Sequence, residues 1–158
     1  MKVEISNADW VDKLTILEIK LNKITNANKL TNIRQEMASL MTDGVASGVD
    51  VIFLLNSKEC DGLRTVNFAL WKAEDQLREM ESKSLFNQEY IELARSVYIL
   101  NDQRANLKRY INESSNSIIV EEKEYVTYDT EFLVENDELE HSIIPDNKDV
   151  SLKEFIDE

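Results

Sequence analysis

The chain has 158 residues, of which 42% are hydrophobic and 31% are charged, and its formal net charge at pH 7 is −13. This size and composition suit one folded domain with a sizeable core, and no apolar run approaches the roughly 20 residues that cross a bilayer. Residues 1–120 carry a net charge of −2 and residues 121–158 carry −11, so the body has no basic stripe and binding to nucleic acid or an anionic membrane is disfavoured.

The single cysteine, Cys60, cannot form a disulfide within the chain. Residues 1–8 lack the apolar core of a secretion signal. Both features indicate a reducing compartment, and we expect a cytoplasmic protein.

The first helix is predicted from a cap followed by an apolar row. Ser6 and Asp9 have the spacing of a capping box, in which each residue binds the backbone amide of the other. After them, apolar residues recur at steps of four and three, which places them on one face of a helix. These residues are Trp10, Leu14, Leu17, Leu21 and Ile24. The pattern predicts a helix over about 7–25.

A second apolar row follows a short polar break at residues 25–28. It consists of Leu30, Ile33, Met37 and Leu40. So short a connection predicts an antiparallel αα-hairpin. Residues 42–44 are predicted to end the helix, and Gly44 and Gly48 to supply a flexible turn.

Apart from Asp50, residues 49–55 are apolar, and periodicity cannot distinguish a short strand from a short buried helix over seven residues. In an otherwise helical chain we favour a short helix or an irregular plug against the core. Cys60 and Gly62 are then predicted to lead into a third long helix. Its apolar row is Leu63, Val66, Leu70, Ala73, Leu77 and Met80.

A fourth helix is predicted from about Asn87 to the polar residues 114–117. Its apolar row is Leu93, Val97, Leu100, Leu107 and Ile111. Arg104 interrupts this row with a charge. An unpaired buried charge is costly, so the helix either packs through a polar seam or lines a site, and we prefer the seam.

The predicted fold class is therefore an all-α antiparallel bundle of about four helices that begins with an αα-hairpin. Residues 118–128 are β-branched and aromatic, which predicts an extended segment laid on the bundle. We assign residues 1–126 to the helical domain and residues 127–158 to an acidic, flexible tail that contains the only proline, Pro145.

Several chemistries are excluded by composition. The only histidine, His141, lies in the acidic tail, so a nucleophile–histidine pair in the body is disfavoured. Cys60 alone makes no zinc site of the usual Cys/His type. The three glycines form none of the common nucleotide-binding loops. The sequence indicates no cofactor and no metal site.

What remains is a chemistry of carboxylates, amides, lysine and arginine between helices. Inward carboxylates can hold Mg²⁺, and converging cations can bind a phosphate or a carboxylate. The preferred interpretation is that these acids and bases pair with one another on solvated faces or in a seam.

The blocks VDKLTILEIKLNKI, NIRQEM, VNFALWKAEDQLREME, YIELARSVYILNDQRANLKRYIN and EEKEY carry a resemblance when taken in this order. Together they resemble a family of small all-helical proteins of bacteria and their phages that bears a domain-of-unknown-function label. The likeness covers roughly residues 3–126. It implies a helical domain, sometimes found beside sugar-transfer or surface-polysaccharide genes, and no established activity.

The resemblance also implies one polar cluster, to which we assign a candidate ligand-binding role. Its members are Asp12, Lys13, Glu18, Lys20, Asn67, Trp71, Glu74, Asp75, Glu92, Arg95, Tyr98, Asn101, Asp102, Arg104 and Lys108. Glu122 and Lys123 complete the family's polar pattern.

Two functions stay open at this point. The first is a non-catalytic helical module that binds a protein partner or forms a homo-oligomer, with a link to glycan biosynthesis. The second is a ligand-binding or enzymatic bundle that acts on a phosphorylated or carboxylated small molecule, with Mg²⁺ optional. The catalytic residues of such an enzyme cannot be assigned from the sequence.

Overall fold

The computed structural model describes residues 2–124 and 126–127. Throughout this part of the chain, regular structure is helical and no residue lies in a β-strand. The helices are α1 (Asn7–Lys23), α2 (Ala27–Ala46), α3 (Val51–Leu55), α4 (Lys58–Ser82) and α5 (Gln88–Ser114). The all-α prediction is confirmed, with the ambiguous apolar run forming the short helix α3. The predicted acidic tail lies almost wholly outside the described residues, so its boundary and flexibility stay predictions.

Each helix begins directly after a polar side chain that caps it. In every case the side chain accepts a hydrogen bond from the amide three positions further on, which satisfies a donor that has no partner within the helix. The caps are Ser6, Asn26, Asp50, Ser57 and Asn87. The predicted starts of the first and fourth long helices are confirmed by this geometry.

The predicted end of α2 is wrong, because the helix continues through Gly44 to Ala46. Gly44 is needed for packing rather than for a turn. A Cβ atom there would lie 2.6 Å from the Trp10 ring, so only glycine lets the indole lie against the α2 backbone. The turn falls instead at Gly48, whose φ of 78° is in the left-handed region that glycine adopts readily.

The start of α4 also differs from the prediction. The helix begins at Lys58, so Cys60 and Gly62 lie inside its first two turns rather than ahead of it. A Cβ atom on Gly62 would lie 2.9 Å from a Leu107 methyl group. This glycine therefore allows α4 and α5 to approach closely.

The core is formed by the predicted apolar rows where several helices meet. Its largest fully buried side chains include Leu14 and Leu17 of α1, Met37 of α2, Leu63 of α4 and Ile111 of α5. Each such side chain contributes about 1.5–3 kcal/mol relative to an exposed position. The rows thus bring α2 against α1, and α1 against both helices of the α4/α5 pair.

Helices α4 and α5 form a long antiparallel hairpin joined by a short turn. Their contact at Gly62 and Leu107 sets the level of one helix against the other. Helix α1 crosses this hairpin near its base, where the Lys23 ammonium lies 5.0 Å from the centre of the Phe68 ring. Beyond that crossing, the hairpin continues towards its tip at residues 83–87.

After α5, residues 118–120 have no regular structure. Ile118 is fully exposed, so the prediction of a segment laid on the bundle does not hold for this residue. In the described part of the chain, every helix is too short or too polar to span a membrane.

Candidate functional site

The charge that interrupts the apolar row of α5 is matched by a buried carboxylate on α1. Arg104 donates from Nε to Oδ1 of Asp12 at 3.0 Å and from Nη2 to Oδ2 at 2.6 Å. Asp12 is only 4% exposed, whereas the Arg104 side chain is 28% exposed. Two parallel bonds of this kind are the strongest arrangement of an arginine with a carboxylate. Arg104 is therefore part of a polar seam between α1 and α5.

The buried Asp12 carboxylate has a second donor on α4. The Asn67 amide donates to Oδ1 of Asp12 at 2.8 Å and to Oγ1 of Thr15 at 2.9 Å. The Thr15 hydroxyl in turn donates to the main-chain carbonyl of Asp12. Asn101 of α5 accepts from Arg104 Nη1 at 3.4 Å. The seam thus joins three helices, and its hydrogen bonds offset the cost of burying a charge.

A second ion pair joins α1 to α5 one turn further on. The Lys108 ammonium lies 2.7 Å from Oδ1 of Asp9, and the lysine side chain is only 12% exposed. Burial alone would raise the pKa of Asp9, but hydrogen bonds from Lys108 and Ser6 outweigh it and leave this pKa below its ordinary value. The carboxylate is thereby held ionised against Lys108.

A third pair joins α1 to α4. Arg64 donates from Nε to Glu18 at 2.9 Å and from Nη1 to Asp61 at 2.6 Å. Burial alone would lower the pKa of the Arg64 guanidinium. The hydrogen bond and the charge of Glu18 outweigh this effect and raise the pKa above its ordinary value, so the group stays protonated. Three carboxylates on α1 therefore neutralise three cations on the α4/α5 hairpin.

The first amides of α1 are also occupied by side chains. The amides of Asn7 and Ala8 donate to Ser117 Oγ at 3.1 Å and to Asn112 Oδ1 at 2.9 Å. Asp9 donates its amide to Ser6 Oγ, and the Asn7 side chain donates to Ser115. A helix N-terminus with free amides would attract an anion, but here Ser117, Asn112 and Ser6 accept from these amides.

The predicted polar cluster is thus divided among several places. Asp12, Asn67, Asn101 and Arg104 come together in the seam, and Lys108 and Glu18 pair beside it with Asp9 and Arg64.

Other members of the predicted cluster lie elsewhere. Glu74 and Asp75 pair with Arg78 on the exposed side of α4, and Glu92 accepts from Gln88 on the exposed side of α5. Lys13 is exposed and Lys20 half-buried on α1.

The remaining members are Trp71, half-buried on α4, and Arg95, Tyr98 and Asp102 on the row of α5 beside its apolar stripe.

Sequence reasoning missed Arg64, Asn112, Ser115 and Ser117. Asn112 had a usable signal, because it is an amide that directly follows the last apolar residue of the α5 row, Ile111. Arg64 had none, since the arginine falls on an ordinary polar position of α4. Whether Arg64 meets Glu18 depends on the angle at which α1 crosses α4, and the periodicity of a single helix does not encode that angle.

The described residues include no group of three or more His, Cys, Asp or Glu side chains close enough to hold a metal ion. The free Cys60 is buried in the core. Burial raises the pKa of its thiol to about 11, against a smaller opposing effect of Arg64. Little thiolate is present at neutral pH, so this cysteine is a poor nucleophile.

A surface groove of about 1070 Å³ lies between the N-terminal segment, the end of α2, α3 and the residues after α5. The described lining includes Trp10, Asp43, Phe53, Ser115 and Ile119, and no member of the predicted polar cluster. The groove and the seam are therefore separate features.

Comparison with known proteins identifies a family. Residues 1–132 match the model of a family of unknown function, DUF6165, and the chain belongs to this family. No curated protein and no solved structure matches the chain.

Proposed function

We propose that this member of DUF6165 is a non-catalytic helical module that binds a protein partner or assembles with further copies of itself. The observation that carries the proposal is the use of the inward charges. The hairpin cations Arg104, Lys108 and Arg64 each hold a carboxylate of α1. These three cations could otherwise bind a phosphate or a carboxylate of a ligand, but here they join the helices to one another.

A second observation supports an interaction role. The tip of the α4/α5 hairpin exposes Leu85 and Phe86, and the adjoining part of α5 exposes Ile91 and Tyr98. Phe86 is held edge-on to Tyr90, with ring centres 5.3 Å apart. Exposed apolar side chains grouped on a projecting element are typical of surfaces that meet another protein.

The setting of such a module is part of the same proposal. The resemblance to helical proteins of bacteria and phages implies a place beside sugar-transfer or surface-polysaccharide genes. In that setting the module would organise a complex for glycan biosynthesis.

A second candidate function rests on the partial exposure of Arg104. Because 28% of its side chain reaches solvent, a small phosphorylated or carboxylated ligand could bind the outer edge of the guanidinium, with Asp12 behind it. The bidentate bond to Asp12 weighs against this function, since a ligand would have to compete with a buried carboxylate already in place.

A thermal-shift screen distinguishes the two functions. The probes are ATP, a uridine diphosphate sugar and inorganic phosphate, each tested with and without MgCl₂. MgCl₂ is also tested by itself. A specific ligand at 100 times its Kd stabilises a protein by about 2.7 kcal/mol. We expect no shift with any probe.

The control variants are Arg104→Lys, which keeps the charge but loses the fork, and Lys13→Ala at an exposed position of α1. A shift with wild type and Lys13→Ala that is lost in Arg104→Lys would overturn the proposal in favour of a ligand site at the seam.

A further inference from the structure

The surface groove has two walls that are not helical. They are residues 2–6 before α1 and residues 117–119 after α5. The two segments are joined at one end, where the amide of Asn7 donates to Ser117 Oγ at 3.1 Å. No hydrogen bond between main-chain groups links residues 2–6 to residues 117–119. The groove therefore lies between two stretches of chain that leave each other's main chain unpaired.

The wall before α1 carries open main-chain groups. Val3, Glu4 and Ile5 form no hydrogen bond through their main-chain atoms with another described residue. Ser6, which follows them, has the dihedral angles of an extended chain, with φ −67° and ψ 158°. A stretch of chain with open N–H and C=O groups is a template for pairing with another extended chain. A helix offers such groups only at its ends, because its main chain is otherwise paired within it.

The side chains of this wall alternate in character. Lys2 and Glu4 are charged, whereas Val3 and Ile5 are apolar and are 70% and 38% exposed. In an extended chain, alternate side chains point to opposite sides. The wall thus presents one apolar side and one charged side to a chain that pairs with it. Phe53 of α3, another lining residue, is 51% exposed and adds to the apolar surface.

The charges of the groove are unbalanced. Its described lining holds three acids, Glu4, Asp43 and Asp50, and one base, Lys2, which gives a net charge of −2. Lys2 pairs with Asp43 at 3.2 Å. No ion pair to another described residue is formed by Glu4 or Asp50, which leaves these two carboxylates to be matched by cations from outside.

We propose that the groove holds an extended segment of a partner protein in which apolar residues alternate with Lys or Arg. The segment pairs through its main chain with residues 3–5. Because cross-strand neighbours share a side, its apolar residues meet Val3 and Ile5 and its basic residues meet Glu4. The inference rests on the proposed function and names the chemistry of the partner. A helical segment fits less well, since it has no main-chain groups to offer the wall.

An NMR titration of the full-length, ¹⁵N-labelled chain tests the proposal. The probe is a short synthetic peptide that alternates valine with lysine, taken up to about 1 mM, the concentration that reveals weak binding. We expect saturable shifts in the amides of residues 3–5, 50–54 and 117–119. The control peptide alternates valine with glutamate and should cause none.

Four outcomes of the titration would overturn the proposal. They are no shift with the lysine peptide, equal shifts with both peptides, shifts confined to the acidic residues 128–158, and shifts of residues 3–5 when the protein is concentrated without peptide. The third would show attraction to the acidic end of the chain, and the fourth would make a second copy the occupant.

Amide exchange in the same samples tests the main-chain pairing. At saturating peptide, at least one amide of residues 3–5 should exchange about tenfold more slowly, since a new hydrogen bond must open before it exchanges. Shifts without slower exchange would show that the peptide binds by its side chains alone, which contradicts the pairing.

A charge-matched pair of variants tests the acids of the groove. Glu4→Gln/Asp50→Asn removes both open carboxylates, and asparagine keeps the cap of α3. Glu36→Gln/Glu81→Gln changes the net charge equally at exposed positions outside the groove. We expect the Kd of the lysine peptide to rise about threefold or more in the first variant and to stay unchanged in the second. Equal weakening in both would show a general attraction to an acidic chain and would overturn the proposal.

These results are separable from those of the ligand screen. A chain that binds neither the lysine peptide nor any ligand probe would remove this partner while leaving the module proposal standing. A ligand shift that depends on Arg104 would remove the module proposal whatever the peptide does.

Discussion

Arg104 of α5 and Asp12 of α1 form a two-point ion pair between residues 92 positions apart in the chain. The carboxylate is buried and the guanidinium is partly exposed, so the two halves of the pair are not equivalent. Removing Arg104 leaves a buried charge without its cation, whereas removing Asp12 leaves a cation that solvent can reach. This asymmetry gives the first prediction.

Arg104→Met should lower the free energy of unfolding by about 3–5 kcal/mol, the usual cost of breaking a buried pair. Asp12→Leu should cost less, because Arg104 can turn towards water. The double variant should be more stable than the sum of the two single changes predicts. Urea unfolding of the four proteins measures the coupling. Additive losses would show that the pair has no coupling energy of its own.

The same pair shows what could and could not be predicted from the sequence. The apolar row of α5 predicted that Arg104 needs a partner, and the residue types at the seam, Asp12, Asn67 and Asn101, were among the candidates. The pairing itself depends on the angle at which α1 crosses the hairpin, and periodicity within a helix says nothing of that angle.

The limits of α2 and α4 were missed for a related reason. Glycine is a weak helix former and so suggests a helix end, yet Gly44 and Gly62 lie inside helices because Trp10 and Leu107 need the space. By contrast, local sequence was sufficient to predict the cap at Ser6 and a helix start at about Asn87, because a cap acts on neighbouring amides only.

The Asp9–Lys108 pair predicts a loss of stability in acid. Because the pKa of Asp9 in the folded chain lies below its ordinary value, its contribution is complete above about pH 5 and is lost as the pH falls through about 4 and below. Asp9→Asn should therefore be less stable than the wild type at pH 7, and the difference should shrink at pH 3. Urea unfolding at pH 7, 5 and 3 measures this. Lys2→Met, which removes the exposed pair with Asp43, is the control and should show little effect. A difference for Asp9→Asn that stays constant with pH would contradict the prediction.

Gly44→Ala should destabilise the fold although alanine is the better helix former by about 1 kcal/mol. The added Cβ would lie 2.6 Å from the Trp10 ring, and moving the ring breaks the bond from its Nε1 to the Leu40 carbonyl, now 2.7 Å long. We expect a net loss of about 1–3 kcal/mol, as for other overpacked sites, and a change in tryptophan fluorescence. Gly62→Ala is the comparison, because its Cβ meets only the methyl end of Leu107. An equal or smaller loss for Gly44→Ala would show that the indole shifts freely.

Asn112→Ala tests whether the end of α5 holds the start of α1. The Asn112 side chain is 2% exposed and accepts from the amide of Ala8 at 2.9 Å. Its removal leaves a buried donor without an acceptor, which costs about 1–3 kcal/mol. Asn106→Ala, at an exposed position on the same helix, should be neutral or slightly stabilising, since it changes helix propensity alone.

Hydrogen exchange in Asn112→Ala distinguishes the loss of a cap on α1 from a general loss of stability. The amide of Ala8 should exchange much faster in this variant, relative to amides in the middle of α4, than in the wild type. A general loss of stability would instead accelerate exchange in all the helices together. Equal acceleration everywhere would mean that Asn112 supports the core as a whole and does not specifically cap α1. Selective acceleration at Ala8 would show that a side chain more than 100 positions away in the chain completes the first turn of α1.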